Sequence, residues 1–372
     1  MSATAAVKSI EAGVKAVLPE CETVSFPVAD GGDGFVQALG ASKAFSEHLV
    51  DACDPLGRQR TVDFLYSSHN KTAIIEMAKS SGLALLSEDE YAPMLTSTYG
   101  LGQQIIAAMD LGARHFIIGI GGSASNDGGT GMASALGVRF LDASGAVVAA
   151  NAQNLPAISS IDVAQRDVRL LRCRFDVACD VSNLLLGDDG AAQVYAPQKG
   201  ATPAQVALIE TGLSHLADII TRDVGVNVRQ VEGGGAAGGL GAGLFAFLGA
   251  KLKPGADLLL DIQCFDEIVK DADLVITTEG RLDDQTCFGK APFVVAQRAK
   301  RKNVPTIIIS GQVALTESEL KNSVFHAAYS LSGGTVSVEN AISYADELLM
   351  KKSKEVVNQF FPNVLCAPHT SR

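Results

Sequence analysis

The last third of the chain alternates short apolar segments with amphipathic ones, and this alternation constrains the fold more than any other feature. Three segments rich in apolar residues have the length of buried strands: DLVITT (273–278), VPTIIIS (304–310) and VFHAAYS (324–330). Patterns with helical spacing lie between and after them, at about 289–302, 316–322 and 337–360. Because strands that alternate with helices form a parallel sheet covered on both faces, this part is predicted to be α/β.

The N-terminal segment also combines a helix pattern with a strand pattern, but its helix comes first. Val7, Ile10 and Val14 share one face of a predicted helix over residues 2–18, and a predicted strand, TVSFPV (23–28), follows. A crossover helix on a parallel sheet normally follows a strand, and none precedes this one. The pattern therefore indicates a sheet domain that begins one strand late.

The middle of the chain is less regular. It has strand candidates at 60–66, 72–77 and 114–120 and several glycine-rich loops. A chain of 372 residues is longer than one core usually supports. We therefore predict a discontinuous Rossmann-like parallel-sheet domain, and a second α/β domain inserted into it. The first is formed by residues 1–55 and 266–372, and the second by residues 56–265.

Composition and charge exclude several function classes. The formal net charge is −11, and no stripe of basic and aromatic residues is present, which argues against a nucleic-acid partner. No apolar run approaches the roughly 20 residues that span a bilayer, so no membrane partner is expected. The seven cysteines form no C-x-x-C pair, which is typical of reduced thiols. We expect a cytoplasmic location.

The glycine-rich stretch IIGIGGSASNDGGTGM (117–132) has three open interpretations. Gly119, Gly121 and Ala124, with Asp142 further on, imitate a dinucleotide fingerprint. The stretch also suits a phosphate or sugar-acid site, or a purely structural turn. A second G-x-G-x-x-G begins at Gly233 and shows how easily the pattern arises in this chain. No G-x-x-x-x-G-K-[ST] sequence occurs, which argues against a P-loop ATPase.

Two acidic loops follow predicted strands. In VADGGDGF (28–35), Asp30 and Asp33 are either turn formers or carboxylates for Mg²⁺ or a substrate hydroxyl proton. In TTEGRLDDQT (277–286), Arg281 lies between Glu279 and Asp283. These charges either pair with one another at the surface or serve a phosphate and a metal together.

Three further polar residues have weaker patterns. Lys290 lies near the start of a predicted helix, where an anion would be stabilised by the dipole. Asp180 ends the segment FDVACD, and Lys199 lies in YAPQKGA. Both could equally be ordinary capping or turn residues.

Taken in order, five motifs resemble those of the bacterial glycerate kinase type-1 family, and the resemblance runs from about residue 2 to residue 360. They are ADGGDG, GIGGSASNDGGTGM, PQKGA, GGGAAGGLGAG and TEGRLDDQT followed by GKAP. The resemblance implies Mg²⁺-assisted phosphorylation of D-glycerate by ATP, with 2-phosphoglycerate favoured over 3-phosphoglycerate. It also implies the two-domain fold predicted above, with the active site in the interdomain cleft.

The resemblance also implies roles for particular residues. Substrate would be bound by the glycine-rich loop and one following aspartate: Gly121, Gly122, Ser123, Asn126, Asp127 and Asp180. Nucleotide or phosphate would be bound by two lysines and two glycines: Lys290, Lys199, Gly234 and Gly235. Catalysis would fall to Asp283, Arg281, Asp30 and Glu279, with Asp283 or Asp30 as the base. The metal would lie at Asp33 and Glu279.

The chain departs from the family pattern in two places. Leu184 and Leu185 stand where the family has Pro-Leu. Family members also open with a strand and an Asp-Ser-Phe-Lys loop, whereas this chain begins MSATAAVKSIEAG. We therefore expect the first strand and its loop to be missing and activity to be impaired.

Two alternatives stay open beside the kinase. One is a catalytically silent family member that binds a small acid. The other is an NAD-dependent oxidoreductase that uses residues 119–142. A homodimer is the assembly that we consider for this chain.

Overall fold

The computed structural model describes residues 1–28, 44–283 and 290–362. The chain divides into two compact units, one formed by Met1–Ala29 with Leu259–Arg372 and the other by Asp30–Leu258. Asp30 and Asp33, the predicted catalytic and metal-binding carboxylates, lie outside the described residues. None of the described helices has the length and apolarity needed to cross a membrane.

The unit Asp30–Leu258 is built on a mixed sheet. Its strands are β1 (Ser46–Cys53), β2 (Gln59–Ser67), β3 (Thr72–Glu76), β4 (His115–Gly119), β5 (Arg139–Leu141), β6 (Ser160–Asp162), β7 (Arg174–Ala178) and β8 (Lys251–Lys253). Within the described residues, the main sheet has the order β1-β2-β3-β4-β7-β8, and β5 pairs with β6 separately. The first three strands are antiparallel to one another, whereas β3, β4, β7 and β8 run parallel. The strands predicted at 60–66, 72–77 and 114–120 are confirmed.

The helices of this unit cover the sheet and form a second core beside it. They are Ala78–Ser81, Tyr99–Asp110, Thr130–Ala135, Ala191–Tyr195, Pro203–Asp223 and Ala236–Leu248, with short 3₁₀ helices at Leu83–Leu85, Glu88–Glu90, Ala152–Ala157, Val168–Arg172 and Pro197–Lys199. The helix Gly255–Ile262 begins in this unit and runs past its end at Leu258. One face of the sheet, with Phe116 and Phe175, packs against the helices that carry Leu101 and Leu240. Burying these side chains is the main source of stability here.

The other unit contains a parallel sheet, as the sequence predicts. Its strands β9 (Val275–Leu282), β10 (Thr306–Val313) and β11 (Ala327–Ser330) have the order β11-β10-β9. Its helices are Ala3–Lys15, Phe265–Val269, Ala291–Arg301, Glu317–Lys321, Val338–Ser343 and Ala345–Phe360. The N-terminal helix packs closely on the last one. A Cβ at Gly13 would lie only 2.4 Å from the Met350 carbonyl oxygen, so this close approach requires glycine.

Three details of this unit differ from the predictions. The helix predicted at 337–360 is divided into two at Tyr344. The predicted strand at 23–28 has no regular secondary structure, and Phe26 packs edge-on against Phe265 instead. Pro27 has no N–H group to donate to a strand partner, which disfavours a strand there. Strand β9 continues to Leu282, where the prediction ended it at residue 278. Glu279 and Arg281 therefore lie on the strand itself, in register with Ser310 and Gln312 of β10.

The two glycine-rich segments of the sequence pack backbone against backbone. Ala237, Gly238 and Gly239 have left-handed dihedral angles, so the regular part of the helix Ala236–Leu248 begins after them. The Gly238 carbonyl accepts a hydrogen bond of 3.1 Å from the Gly128 N–H. A Cβ at Gly238 would lie only 2.0 Å from the Ser125 carbonyl oxygen. Glycine is therefore required at position 238 for this close approach.

We expect Gly238→Ala to lower the free energy of unfolding by about 3 kcal/mol, because a left-handed alanine is strained and its Cβ would overlap backbone atoms. Gly249→Ala is the matched control, since Gly249 also has a positive φ, of 64°, but open space where a Cβ would stand. That variant should lose about 1 kcal/mol, from backbone strain alone. Urea unfolding followed by circular dichroism measures both. Equal losses would contradict the packing argument.

Candidate active site

A pocket of about 430 Å³ lies in the unit Asp30–Leu258, where β4 and β7 end. These neighbouring strands are parallel, and Gly119 is in register with Ala178. The carboxyl ends of parallel strands are the usual ligand site of α/β sheets. The pocket is lined by Leu83, Ile120, Gly121, Gly122, Ser123, Ala178, Cys179, Asp180, Val181, Tyr195, Gln198, Lys199, Ala236 and Ala237.

The loop after β4 is held in place by the buried carboxylate of Asp127. Its Oδ2 accepts hydrogen bonds from the Thr98 N–H and hydroxyl, both at 2.8 Å, and from the Gly131 N–H at 3.1 Å. Its Oδ1 accepts one from the Gly129 N–H at 3.0 Å. Burial raises the pKa of the Asp127 carboxyl, and these hydrogen bonds oppose that shift. Asp127 thus ties the loop to the start of the helix Tyr99–Asp110.

The residues of this loop that were predicted to bind substrate divide into two groups. Gly121, Gly122 and Ser123 lie in the pocket wall. Asn126 and Asp127 are fully buried and are not among the lining residues. The Asn126 side-chain amide donates to the Pro93 carbonyl oxygen at 3.1 Å. These two side chains therefore shape the loop from behind.

Lys199 lies in the pocket wall and is only 2% exposed. It ends the single-turn helix Pro197–Lys199. Its Nζ donates to the Ser125 carbonyl oxygen at 2.5 Å and lies 3.3 Å from Asn126 Oδ1. Burial lowers the pKa of the Lys199 amine to about 7, and Asp127 partly opposes this shift.

Another part of the pocket wall follows β7 and includes Asp180. One of its carboxylate oxygens accepts a hydrogen bond of 2.8 Å from the Gly255 N–H, just beyond β8. Tyr195 and Gln198 also line the pocket, although the sequence analysis did not single them out. Burial raises the pKa of the Tyr195 hydroxyl, which donates to Asn183 Oδ1. The motif YAPQKGA contains both residues, so their proximity to Lys199 in sequence was the available signal.

Gly234 and Gly235, predicted to bind nucleotide or phosphate, are not among the lining residues. The Gly234 N–H donates to the Val231 carbonyl oxygen, and the Gly235 N–H donates to that of Asn183, both at 2.9 Å. A Cβ at Gly235 would lie 2.2 Å from the Leu184 carbonyl oxygen. Backbone packing therefore accounts for glycine at position 235.

The geometry of residues 119–142 differs from that of a dinucleotide turn. The helix after β4 begins at Thr130, well beyond Gly121, instead of opening directly from the turn. Asp142, the candidate ribose partner, follows β5 in the separate two-stranded sheet. Its Oδ1 accepts hydrogen bonds from the Ser144 and Ala146 N–H groups, which is ordinary turn chemistry. The geometry therefore gives no support to an NAD site here.

The other unit has charged residues at the carboxyl end of β9. The Arg281 Nε lies 3.6 Å from Asp283 Oδ2, and the Lys290 Nζ lies 3.7 Å from Asp283 Oδ1. Glu279 stands beside Ser310 in the register of β9 and β10. The structure thus brings together Arg281, Asp283 and Lys290, and Glu279 lies two residues before Arg281 on the same strand.

The Ser310 hydroxyl lies in β10 and is fully buried. It has no hydrogen-bond partner within the described residues. Unpaired buried hydroxyls cost free energy, so they are uncommon, and a bound water or ion is one of the usual partners. Among the described residues, no group of three His, Cys, Asp or Glu side chains could hold a metal ion.

We expect Asp127→Asn to lower the free energy of unfolding by about 2–4 kcal/mol, because an amide nitrogen would replace one oxygen that the buried donors require. Asp142→Asn is the matched control, since Asp142 also accepts several hydrogen bonds but lies near the surface. Its loss should be much smaller. Denaturant unfolding compares the two, and equal losses would contradict the anchoring role of Asp127.

Comparison with known proteins assigns the family. The family model described as the glycerate kinase family matches residues 1–361. The chain is 43% identical to a glycerate kinase of Halalkalibacterium halodurans, over 96% of this chain and 94% of that protein. It is 39% identical to the glycerate 2-kinase of Escherichia coli, over 96% and 93% of the two chains.

A solved structure extends the likeness to three dimensions. A crystal structure assigned to glycerate kinase 2 of Salmonella typhimurium superposes with a TM-score of 0.87, at 40% identity. The match covers 98% of this chain and 96% of that one. The α/β fold class predicted from the sequence is confirmed. The chain belongs to the glycerate kinase family and is a phosphotransferase.

Proposed function

We propose that the protein transfers the terminal phosphoryl group of ATP to D-glycerate and releases 2-phosphoglycerate. The observation that carries the proposal is the pocket with Ser123, Asp180 and Lys199 at the ends of β4 and β7, in a chain of this family. Family membership implies ATP as the donor. The relative named glycerate 2-kinase, at 39% identity, favours the 2-hydroxyl as the acceptor.

D-Glycerate has one carboxylate and two hydroxyl groups, and the pocket has a partner for each kind of group. Asp180 can accept a hydrogen bond from a hydroxyl group, and Ser123 can donate or accept one. We propose that Gly121 and Gly122 contribute backbone N–H groups, because glycine lets a ligand approach the chain closely. Asn126 and Asp127 act behind this wall, as residues that hold the loop in shape.

We propose that the end of β9 binds the phosphates of ATP. Phosphoryl transfer depends on positioning and on neutralising negative charge, and guanidinium and ammonium groups do both. Arg281 and Lys290 supply these cations, and Asp283 lies within 4 Å of each. Arg281 is the side chain that we assign to the transferring group.

Magnesium fits the oxygen ligands at the same sheet edge. Mg²⁺ is usually held by one or two carboxylates together with substrate phosphates, so a complete protein cage is not required. Glu279 would hold the ion, and the unpartnered Ser310 hydroxyl lies beside it in register. When bound, Mg²⁺ would neutralise charge on the phosphates. A contribution from Asp33 stays a prediction, since Asp33 lies outside the described residues.

The remaining assignments from the sequence stay predictions. The general base is Asp283 or Asp30, and Asp30 lies outside the described residues. Nucleotide binding by Gly234 and Gly235, the homodimer and the cytoplasmic location are equally untested.

We expect the purified protein to form ADP only when ATP, Mg²⁺ and D-glycerate are all present. Coupled detection of ADP measures turnover, and ³¹P NMR identifies the product, for which we expect 2-phosphoglycerate. Binding of D-glycerate without ADP formation would favour a catalytically silent family member. Formation of 3-phosphoglycerate would overturn the position assigned to transfer but leave the reaction class intact.

We expect Arg281→Met to lower kcat by ~10²–10³-fold, because loss of one donor to the developing charge removes stabilisation made in the transition state. Arg301→Met is the matched control, since Arg301 is an exposed arginine of the same unit that bonds only to Gln297 in the described residues. That variant should keep its kcat. A loss of the same size in both variants would contradict the role of Arg281.

A further inference from the structure

We infer that Lys199 receives the carboxylate of the small acid, and that this lysine takes up a proton when the acid binds. The inference rests on the proposed function, because it takes D-glycerate as the ligand of the pocket. It assigns Lys199 to the acid, whereas the sequence analysis placed it with nucleotide or phosphate.

The surroundings of Lys199 are unusual for a lysine. The side chain is almost fully buried, yet within the described residues its Nζ hydrogen-bonds only to two neutral oxygens, the Ser125 carbonyl oxygen and Asn126 Oδ1. Within the described residues, no carboxylate lies within ion-pair distance of Nζ. A buried ammonium group without a counterion is costly, so such lysines are normally paired or uncharged.

The number of N–H donors on Lys199 also indicates that the charged form needs one more acceptor. A neutral amine has two N–H groups and a lone pair, and the two oxygens satisfy both N–H groups. An ammonium group has a third N–H, which has no acceptor within the described residues. Because Lys199 lines the pocket, a ligand there can supply this acceptor.

Other ionisable groups also face this part of the pocket. Asp127 lies behind the loop and attracts the charged lysine, and Tyr91 packs against Gly200. Cys179, Asp180 and Tyr195 line the pocket itself. With the pKa of Lys199 at about 7, most of the amine is neutral above this pH. A carboxylate placed within about 4–6 Å favours the charged form and raises that pKa, so binding draws in a proton.

The charges in the wall favour a small hydroxy acid over a nucleotide. Among the described residues that line the pocket, Lys199 is the one basic side chain, and Asp180 is the one aspartate or glutamate. Asp180 would repel a triphosphate, whereas it can accept a hydrogen bond from a hydroxyl group. One cation and one acceptor suit a monoanion that carries hydroxyl groups.

The test is titration calorimetry of D-glycerate without ATP, in two buffers that differ in ionisation enthalpy. From a pKa of about 7, we expect uptake of about 0.9 proton at pH 8 and about 0.1 at pH 6. The Kd should rise about tenfold per pH unit above pH 7 and stay flat below it, because proton uptake and affinity are linked.

Three variants separate Lys199 from other sources of protons. Lys199→Arg carries a permanent charge, so it should bind D-glycerate without proton uptake. Lys199→Met should raise the Kd by at least tenfold at pH 7. Lys251→Met changes an exposed lysine of β8 and should leave both the uptake and the Kd unchanged. Circular dichroism of each variant checks that it is folded.

Several results would overturn the inference. Binding at pH 8 without proton uptake in the unmodified protein would do so while leaving the kinase intact. Uptake that persists in folded Lys199→Met would assign the proton to another group. Failure of D-glycerate to bind, together with absence of ADP formation, would overturn the inference and the proposed function together.

Discussion

The buried carboxylate of Asp127 is the interaction on which the pocket depends. It collects backbone N–H groups of its own loop and both donors of Thr98, the residue before the helix Tyr99–Asp110. Removing a carboxylate from water is costly, and only a complete set of donors offsets that cost. The same loop presents Ser123 to the pocket and supplies both oxygens that hold Lys199. The hydrogen-bonded Asp127 carboxylate thus holds the loop in the shape that positions these polar groups.

Glycine serves two different purposes around this loop. Gly121 and Gly122 lie in the pocket wall, where a ligand can approach the backbone. Gly238 instead lets its own segment approach the loop, because a side chain there would overlap the Ser125 carbonyl oxygen. Both uses produce similar sequence patterns, since each requires only the absence of a Cβ. That is why the second motif imitates a dinucleotide turn although its own N–H groups bond within the chain.

Hydrophobic periodicity predicted the α/β class and the parallel strands of the C-terminal third, because burial on both faces of a sheet imposes that pattern. It placed the end of β9 too early, since the polar residues Glu279 and Arg281 look like a loop although they pair with β10. It also predicted a strand at 23–28, where Pro27 cannot donate to a partner. The spacing of apolar residues within a segment does not predict which strand, if any, a polar segment pairs with.

The sequence by itself determined the class of fold, the family motifs and the inventory of polar residues in them. Only the tertiary structure decided which of those residues reach the pocket. Ser123, Asn126 and Asp127 are close neighbours in sequence, yet Ser123 lines the pocket and the other two are buried behind it. Lys199 acquires its environment from the loop after β4, more than 70 residues away in sequence. Burial and long-range hydrogen bonds set these roles, and neither is encoded in local spacing.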